Sequence, residues 1–301
     1  MKLIFCSDPL QVRTPDPAFA AEVVATETVG LEYALVNYEA LVNDQDPVRA
    51  LQRVPVQPST VLGVYRGWML TPAVYQQFYA ALAARRVQLI NDPVAYRHCH
   101  YLPEWYPLVV GLTPRSVWIT TRGDLSLDRL MELVRPFGSR PLIVKDFVKS
   151  RKHEWADACY IPSAVDRAAV EKVVRRFLDL QGDELNEGLV FREFVEFAAL
   201  TKHSKSGMPL TKEFRLFFLD GTPLYTVPYW EEGDYQGMRP PADQFRDVAQ
   251  TIGSRFFTMD IAQRVDGARM IVELGDAQVA GLPENADILG FYRALRERCS
   301  A

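Results

Sequence analysis

The chain has 301 residues, enough to bury a sizeable core and to build two or three structural units. Apolar residues make up 48% and charged residues 24%, an ordinary globular balance, and a formal net charge of -4 argues against a generic nucleic-acid binder. No apolar run approaches the roughly 20 residues that span a bilayer. Cys6, Cys99, Cys159 and Cys299 are scattered with no C-x-x-C pair, so free thiols are expected and a zinc site is disfavoured. The opening run turns polar by Asp8, too soon for a signal peptide, and reads as a first strand; the expected location is cytoplasmic.

Residues 1–95 alternate strand-like and helix-like runs. Strands are expected at 3–6, 61–66 and 87–90, the last closed by Asn91, Asp92 and Pro93. Thr71 as N-cap and Pro72 in the first turn predict a helix over 72–86. This alternation predicts an α/β unit with a parallel sheet, whose ligands bind beyond the carboxyl ends of strands, where Arg66 lies. A connector rich in proline and aromatics (101–107) leads to a second unit. It holds strands at 116–120 and 141–145, a helix from Ser126 to Val134, a charged loop at 146–154, a long helix near 166–180 and a strand at 189–195. A third unit holds strands at 213–219 and 224–227 around the turn Asp220-Gly221, a helix near 242–255 and a closing hairpin. His98 and His100 flank Cys99, but nothing nearby in sequence completes a metal set.

The hairpin carries the strongest chemistry. Two apolar runs flank Asp266-Gly267, a short-range hairpin signal. Folding them side by side can bring Asp260 on the first run against Glu273 on the second, with Asp276 at the end. Adjacent carboxylates repel, and both stay charged only beside a cation. Hard oxygens of this kind suit magnesium, above all when substrate phosphates complete its shell. Elsewhere, Lys145 ends an apolar strand, where it either snorkels over the rim or reaches phosphate as a point charge. Lys149, Arg151 and Lys152 make the next loop basic, either a solvated loop or a lid over phosphates. Arg192 and Glu193 interrupt a strand and read as an edge strand with one wet face, or as part of a cleft. Glu213 and Arg215, two apart, share a strand face. The loop 202–207 is polar and basic.

Taken in order, these features resemble the ATP-grasp superfamily of ATP-dependent carboxylate–amine ligases. The ordered set is a strand ending in Lys145, a loop, the strand Phe191 to Val195, the acid-bearing strand at Glu213, and Asp260 and Glu273 spaced 13 apart around a hairpin. The phrases at 65–69, 190–195, 213–217 and 272–281 look most like the clade named for two arginines and one lysine. The resemblance implies an ATP-grasp fold with an N-terminal Rossmann-like (pre-ATP-grasp) α/β domain at 1–110, a central subdomain at 111–190 and a C-terminal subdomain at 191–301, with the nucleotide cleft between the last two. It implies ATP and Mg2+ as cofactors. Lys145, Lys149 and Lys152 would face phosphates. Glu193 and Val195 would offer backbone groups to adenine, with Phe194 between them. Glu213 would bind ribose, Asp260 and Glu273 would hold Mg2+, Arg215 would stabilise an acylphosphate, and Arg66 would position a carboxylate.

Two departures stand out. Gly275 occupies a position where the family offers Asn, so either Asp276 supplies the missing ligand or the metal is held by fewer groups. The loop after Lys145 contains no glycine, so phosphate contacts should come from side chains; Arg97 is nearest in position to an earlier phosphate lysine of the family. The expected function is amide or peptide bond formation from small-molecule or peptide carboxylate and amine substrates, with no membrane partner. Phosphotransfer without ligation, or a non-catalytic nucleotide-binding interaction module, would use the same ATP site. A homodimer is a prior expectation carried by no residue.

Overall fold

The computed structural model describes residues 1–300 except 124, 203, 205–208, 236, 239 and 241. Four parallel strands open the chain: β1 (Lys2–Cys6), β2 (Glu32–Val36), β3 (Val61–Arg66) and β4 (Val87–Leu89), in the order β2-β1-β3-β4. β1 is buried along its whole length, as befits a parallel strand covered on both faces. Helices α1 (Ala20–Thr28) and α2 (Pro72–Ala84) make the crossovers, and Thr71 caps α2 ahead of Pro72 as its sequence predicts. α3 (Pro93–His100) follows, capped by Asp92.

The second sheet is antiparallel: β5 (Ser116–Thr120), β6 (Leu142–Asp146), β7 (Tyr160–Ile161) and β8 (Gly188–Glu193), in the order β5-β8-β6-β7. Helices α4 (Leu127–Val134), capped by Ser126, and α5 (Arg167–Gln181) share its core. A short hairpin, β9 (Ala199–Lys202) with β10 (Pro209–Thr211), precedes the third sheet, and the tip of the basic loop 202–207 lies mostly outside the described residues. That sheet is again antiparallel: β11 (Glu213–Leu219), β12 (Thr222–Pro228), β13 (Phe256–Gln263) and β14 (Arg269–Asp276), in the order β12-β11-β13-β14. The last helix, α6 (Ile288–Ser300), returns to the first unit. It packs on α1 and buries Phe291, Tyr292 and Leu295 completely in that unit's core.

Two expectations change. The helix near 242–255 shrinks to a 3-10 turn (Ala242–Phe245) and one α-turn (Arg246–Ala249), because Gly253 and Ser254 are weak helix formers just before the entry to β13. Within the connector 101–107, Leu102–Trp105 is helical, and Trp105 is fully buried in the core behind the third sheet. β8 is no edge strand; it lies inside its sheet, and Arg192 is buried, donating to Thr113 at 2.5 Å and to the Ile271 carbonyl at 3.2 Å. Among the described residues no helix is long and apolar enough to cross a membrane.

Arg66 corrects the sequence reading most sharply. It ends β3, yet it is 1% exposed and its donors are taken by the protein. Nε and Nη2 donate to Glu22 at 2.8 and 3.0 Å, and Nη1 donates to the carbonyls of Ala277 and Ala280 at 2.6 and 2.8 Å. Tyr292 on α6 donates to the same Glu22 at 2.5 Å. Arg66 thus bolts β3, α1, α6 and the segment after β14 together, and no free fork remains for a substrate carboxylate. Removing one side of a buried ion pair strands the other charge, at a cost of about 3–5 kcal/mol. Arg66→Ala and Glu22→Ala should each lower the urea unfolding midpoint strongly, and the double variant should cost less than the two together. An unchanged midpoint for Arg66→Ala would contradict this structural role.

Candidate active site

Cross-strand register builds the site. Asp260 on β13 faces Glu273 on β14 on one side and Arg215 on β11 on the other. Residues directly opposite in a ladder share a face, so Arg215, Asp260 and Glu273 form one row. The turn is tight, with Gly267 at φ +87°, in the left-handed region, and Asp266 Oδ1 accepting the Ala268 N–H at 3.0 Å; a bulge between Asp260 and Ile261 then shifts the ladder by one residue and brings Asp260 opposite Glu273.

Each acid has its own cation. Arg215 holds both Asp260 oxygens through Nε and Nη2, each at 2.8 Å. Lys145, the penultimate residue of β6 across the cleft and 6% exposed, donates to Glu273 Oε1 at 2.6 Å. Burial works against the Glu273 carboxylate, but Lys145 and Lys152 outweigh it and hold its pKa below the ordinary value. Burial instead wins at Glu213, whose pKa is raised although Lys152 and a hydrogen bond from the Thr211 hydroxyl favour its charge. Burial likewise opposes the Lys152 ammonium, yet Tyr229, Glu213, Glu273 and Asp260 around it raise its pKa. His100, at the end of α3, is buried with Nδ1 2.9 Å from the Tyr96 carbonyl, and burial pushes its pKa down to about 4, so it stands neutral.

Arg215, Asp260, Glu273, Lys152, Tyr229 and His100 line a cavity of about 380 Å³, with Met69 from the first unit on one side. The glycine-free loop beside it is organised by Asp146, which is fully buried. Its Oδ1 accepts the N–H of Val148 at 2.7 Å and that of Lys149; its Oδ2 accepts Gln181 Nε2 and Asn186 Nδ2, each at 2.8 Å. The loop's N–H groups at 148 and 149 are therefore spent on a carboxylate, and side chains face the cavity instead. Lys149, Ser150, Lys152 and His153 line it, whereas Arg151 turns away to Gln181 at 2.7 Å and to the Leu180 carbonyl.

At the segment after β8, the Glu193 N–H donates to the Arg115 carbonyl at 2.8 Å and the Phe194 N–H to the Pro141 carbonyl at 3.0 Å. The Phe194 ring packs edge-on against Tyr160 and Trp155. The Val195 N–H has no partner among the described residues. Arg97 is held away by Glu104 at 2.5 Å and Glu187 at 2.6 Å, over the Tyr101 ring.

Asp276 does not join the row. Side chains alternate along a strand, so a residue three beyond Glu273 points to the opposite face. There Asp276 is fully buried, accepting Asn91 Nδ2 at 2.7 Å and the Gln278 N–H at 2.8 Å. Gly275 does share the face of Glu273, but it sits opposite Thr258, whose hydroxyl would lie 2.9 Å from a Cβ at that position. Thr258 fills the room that an Asn side chain would need. Among the described residues no group of three or more His, Cys, Asp or Glu is set to hold a metal. Spacing gives no warning of Tyr229, His100 or Thr258 as cavity residues, because chain bends and cross-strand neighbours bring them there. Asp146 had one signal, its place directly after the strand lysine.

Fold and site together define an enzyme of the ATP-grasp type. More narrowly, the chain belongs to the family described as ATP-grasp domain, R2K clade family 3, whose model matches residues 136–295. Solved structures share the fold over nearly the whole chain. The D-cycloserine synthetase DcsG is 15% identical with a TM-score of 0.58, covering 99% of this chain and 100% of that one. The ATP-grasp ligase PsnB, complexed with minimal precursor, Mg and ADP, is 15% identical with a TM-score of 0.57, covering 100% and 98%. The D-alanine–D-alanine ligase from Bacillus anthracis, complexed with ATP, is 12% identical with a TM-score of 0.58, covering 99% and 96%. At such identities the likeness is one of fold. No curated protein matches the chain.

The corrected place of Asp276 has a pH consequence. Burial pushes its pKa from the ordinary 3.8 up to about 6, against hydrogen bonds from Asn91 and Gln278. The native state then binds this proton more tightly than the unfolded chain, so the penalty is absent below the unfolded pKa and complete above the folded one. Wild-type stability relative to Asp276→Asn should fall by about 3 kcal/mol between roughly pH 4 and pH 7. Urea unfolding of both proteins across that range measures it, and a flat difference would refute it.

Proposed function

We propose that the protein is an ATP-dependent ligase that joins a carboxylate to an amine through an acylphosphate, releasing ADP and phosphate. The row of Arg215, Asp260 and Glu273 facing Lys145 carries this reading. Two hard-oxygen side chains in register fit Mg2+ and leave its remaining positions for phosphate oxygens. When bound, Mg2+ supplies charge neutralisation on the transferring phosphoryl group. The structural relatives support the class: a synthetase, a ligase seen with Mg and ADP, and a ligase seen with ATP.

On this reading Lys145, Lys149 and Lys152 face the triphosphate. The Val195 N–H and the Glu193 carbonyl meet the adenine edge, and Glu213 accepts from ribose hydroxyls. A substrate carboxylate oxygen attacks the γ-phosphorus, and the bond to the departing ADP oxygen breaks. Arg215 holds the acylphosphate with its planar fork. The deprotonated amine then attacks the carbonyl carbon, the C–O bond to phosphate breaks, phosphate leaves with the electron pair, and an N–H proton passes to solvent. No protein nucleophile takes part. Product analysis separates this from phosphotransfer: an amide with ADP supports ligation, and a stable phosphorylated product overturns it.

The resting ion pairs make a sharper test. Each acid that would hold metal is occupied by a cation that the nucleotide needs. Metal must release Lys145 and Arg215 while phosphate receives them, so the two bind together. Mg2+ with ADP should raise the melting temperature, and either alone should do little. Glu273→Gln frees Lys145 and should bind metal-free ADP on the order of tenfold more tightly than wild type, one charge-assisted hydrogen bond's worth. Lys145→Ala should lose the nucleotide effect. No shift of the wild-type protein with Mg2+ and ADP would sink the proposal.

A further inference from the structure

A second cavity, of about 320 Å³, opens beside the first and shares Arg215, Tyr229 and Gly281 with it. Its remaining walls have different chemistry. Leu210, Leu282 and Pro283 are apolar, and Glu231 and Glu232 add carboxylates. Trp230 contributes an indole whose N–H is buried and without a partner among the described residues. No lysine lines this annex, and its one arginine is already neutralised by both oxygens of Asp260 at 2.8 Å. The first cavity differs: Lys149, Lys152 and His153 line it beside the acids Asp260 and Glu273. Two cavities of different composition therefore meet at Arg215, one with lysines and acids together and one with carboxylates and no lysine. The first suits a metal–triphosphate; the annex suits a cation. Aromatic faces beside carboxylates attract an ammonium group, and a buried indole N–H calls for an acceptor.

We propose that the annex is the acceptor subsite and takes a primary amine that bears a neighbouring carbonyl and an apolar side chain, the chemistry of an amino-acid amide or the amino-terminal residue of a peptide. The proposal rests on the ligase reading above, for which it supplies the nucleophile from the side of Arg215 opposite the triphosphate. Glu231 and Glu232 favour the ammonium, the Trp230 N–H donates to the carbonyl, and Leu210 and Leu282 cover the side chain. The volume is at the small end of ligand sites, which begin near 300 Å³, and so suits one residue better than an extended chain.

L-leucinamide, D-leucinamide and 4-methylpentanamide, the same skeleton without its ammonium, test this on the full chain. Binding is read by titration calorimetry or saturation-transfer NMR, with and without Mg2+ and ADP. At least one leucinamide should bind about tenfold more tightly than 4-methylpentanamide. Glu231→Lys, a change at an exposed position, should remove that preference, and Trp230→Phe should weaken both probes. ADP affinity should stay within about twofold in both variants. The proposal falls if neither leucinamide binds, if the deaminated probe binds equally well, or if Glu231→Lys leaves the preference intact. Amine and nucleotide binding are read separately. A protein that binds leucinamide but not Mg2+ with ADP refutes the ligase reading, and one that binds Mg2+ with ADP but neither leucinamide refutes the annex alone.

Discussion

Two carboxylates facing each other across neighbouring strands are the constraint on which this site depends. Facing side chains in an antiparallel ladder have Cβ atoms only about 4.5–5.5 Å apart, and like charges there repel. The register of β13 and β14 imposes that meeting on Asp260 and Glu273. The fold meets it from two directions, with Arg215 from the same sheet and Lys145 from the other. The site is thus an electrostatic clamp between two sheets before any ligand arrives. Its cations are poised to leave their acids only if something more positive takes the acids and something more negative takes the cations. On the proposed reading a metal–phosphate complex would do both at once.

That clamp needs the sheets to be held in place, and the polar residues outside the row do this. Arg66 and Glu22 join the first sheet to α6 and to the segment after β14. Asp276 and Asn91 join β14 to the turn after β4, and Asn91 also bonds the backbone of Phe256 at the start of β13. Both hairpin strands are therefore tied to the first unit within a few residues of Asp260 and Glu273. Buried charge is costly unless paired, and here each buried group is paired across a junction between units. α6 completes the arrangement by carrying the last residues of the chain back into the first core.

The parts written in local pattern were legible in the sequence: the Asp266-Gly267 hairpin, the caps at Thr71 and Ser126, the strand-ending lysine and the shared face of Glu213 and Arg215. That Asp260 meets Glu273 needed more than the turn: the turn-set register runs Gln263 to Arg269 and Ile261 to Ile271, which would put Asp260 opposite Val272, and a bulge shifts it by one residue to Glu273. What escaped depended on neighbours far along the chain. Arg66 sits where a ligand residue belongs, but its partners are at 22 and 277–280, which no local spacing reveals. Arg192 read as half wet because a strand's place in its sheet is not a local property. The misplacement of Asp276 is different in kind: three residues along a strand always reverse the face, so parity alone excluded it from the row.

The glycine-free loop shows how one chemical role is met by another route. A glycine-rich loop offers phosphate its backbone N–H groups. Here Asp146 takes two of those groups for itself, and Gln181 and Asn186 brace the carboxylate from behind. The loop is fixed by a buried charge rather than by backbone freedom, and on the proposed reading phosphate would be met by Lys149, Ser150 and Lys152. Point charges on flexible stems attract strongly but orient weakly. Orientation then has to come from the rigid side of the cleft, where Arg215 keeps its planar fork, held flat by Asp260 and facing the Tyr229 ring at 5.0 Å. Attraction and alignment are thus divided between the two sheets, and Arg215, the one side chain common to both cavities' charged surfaces, is where they meet.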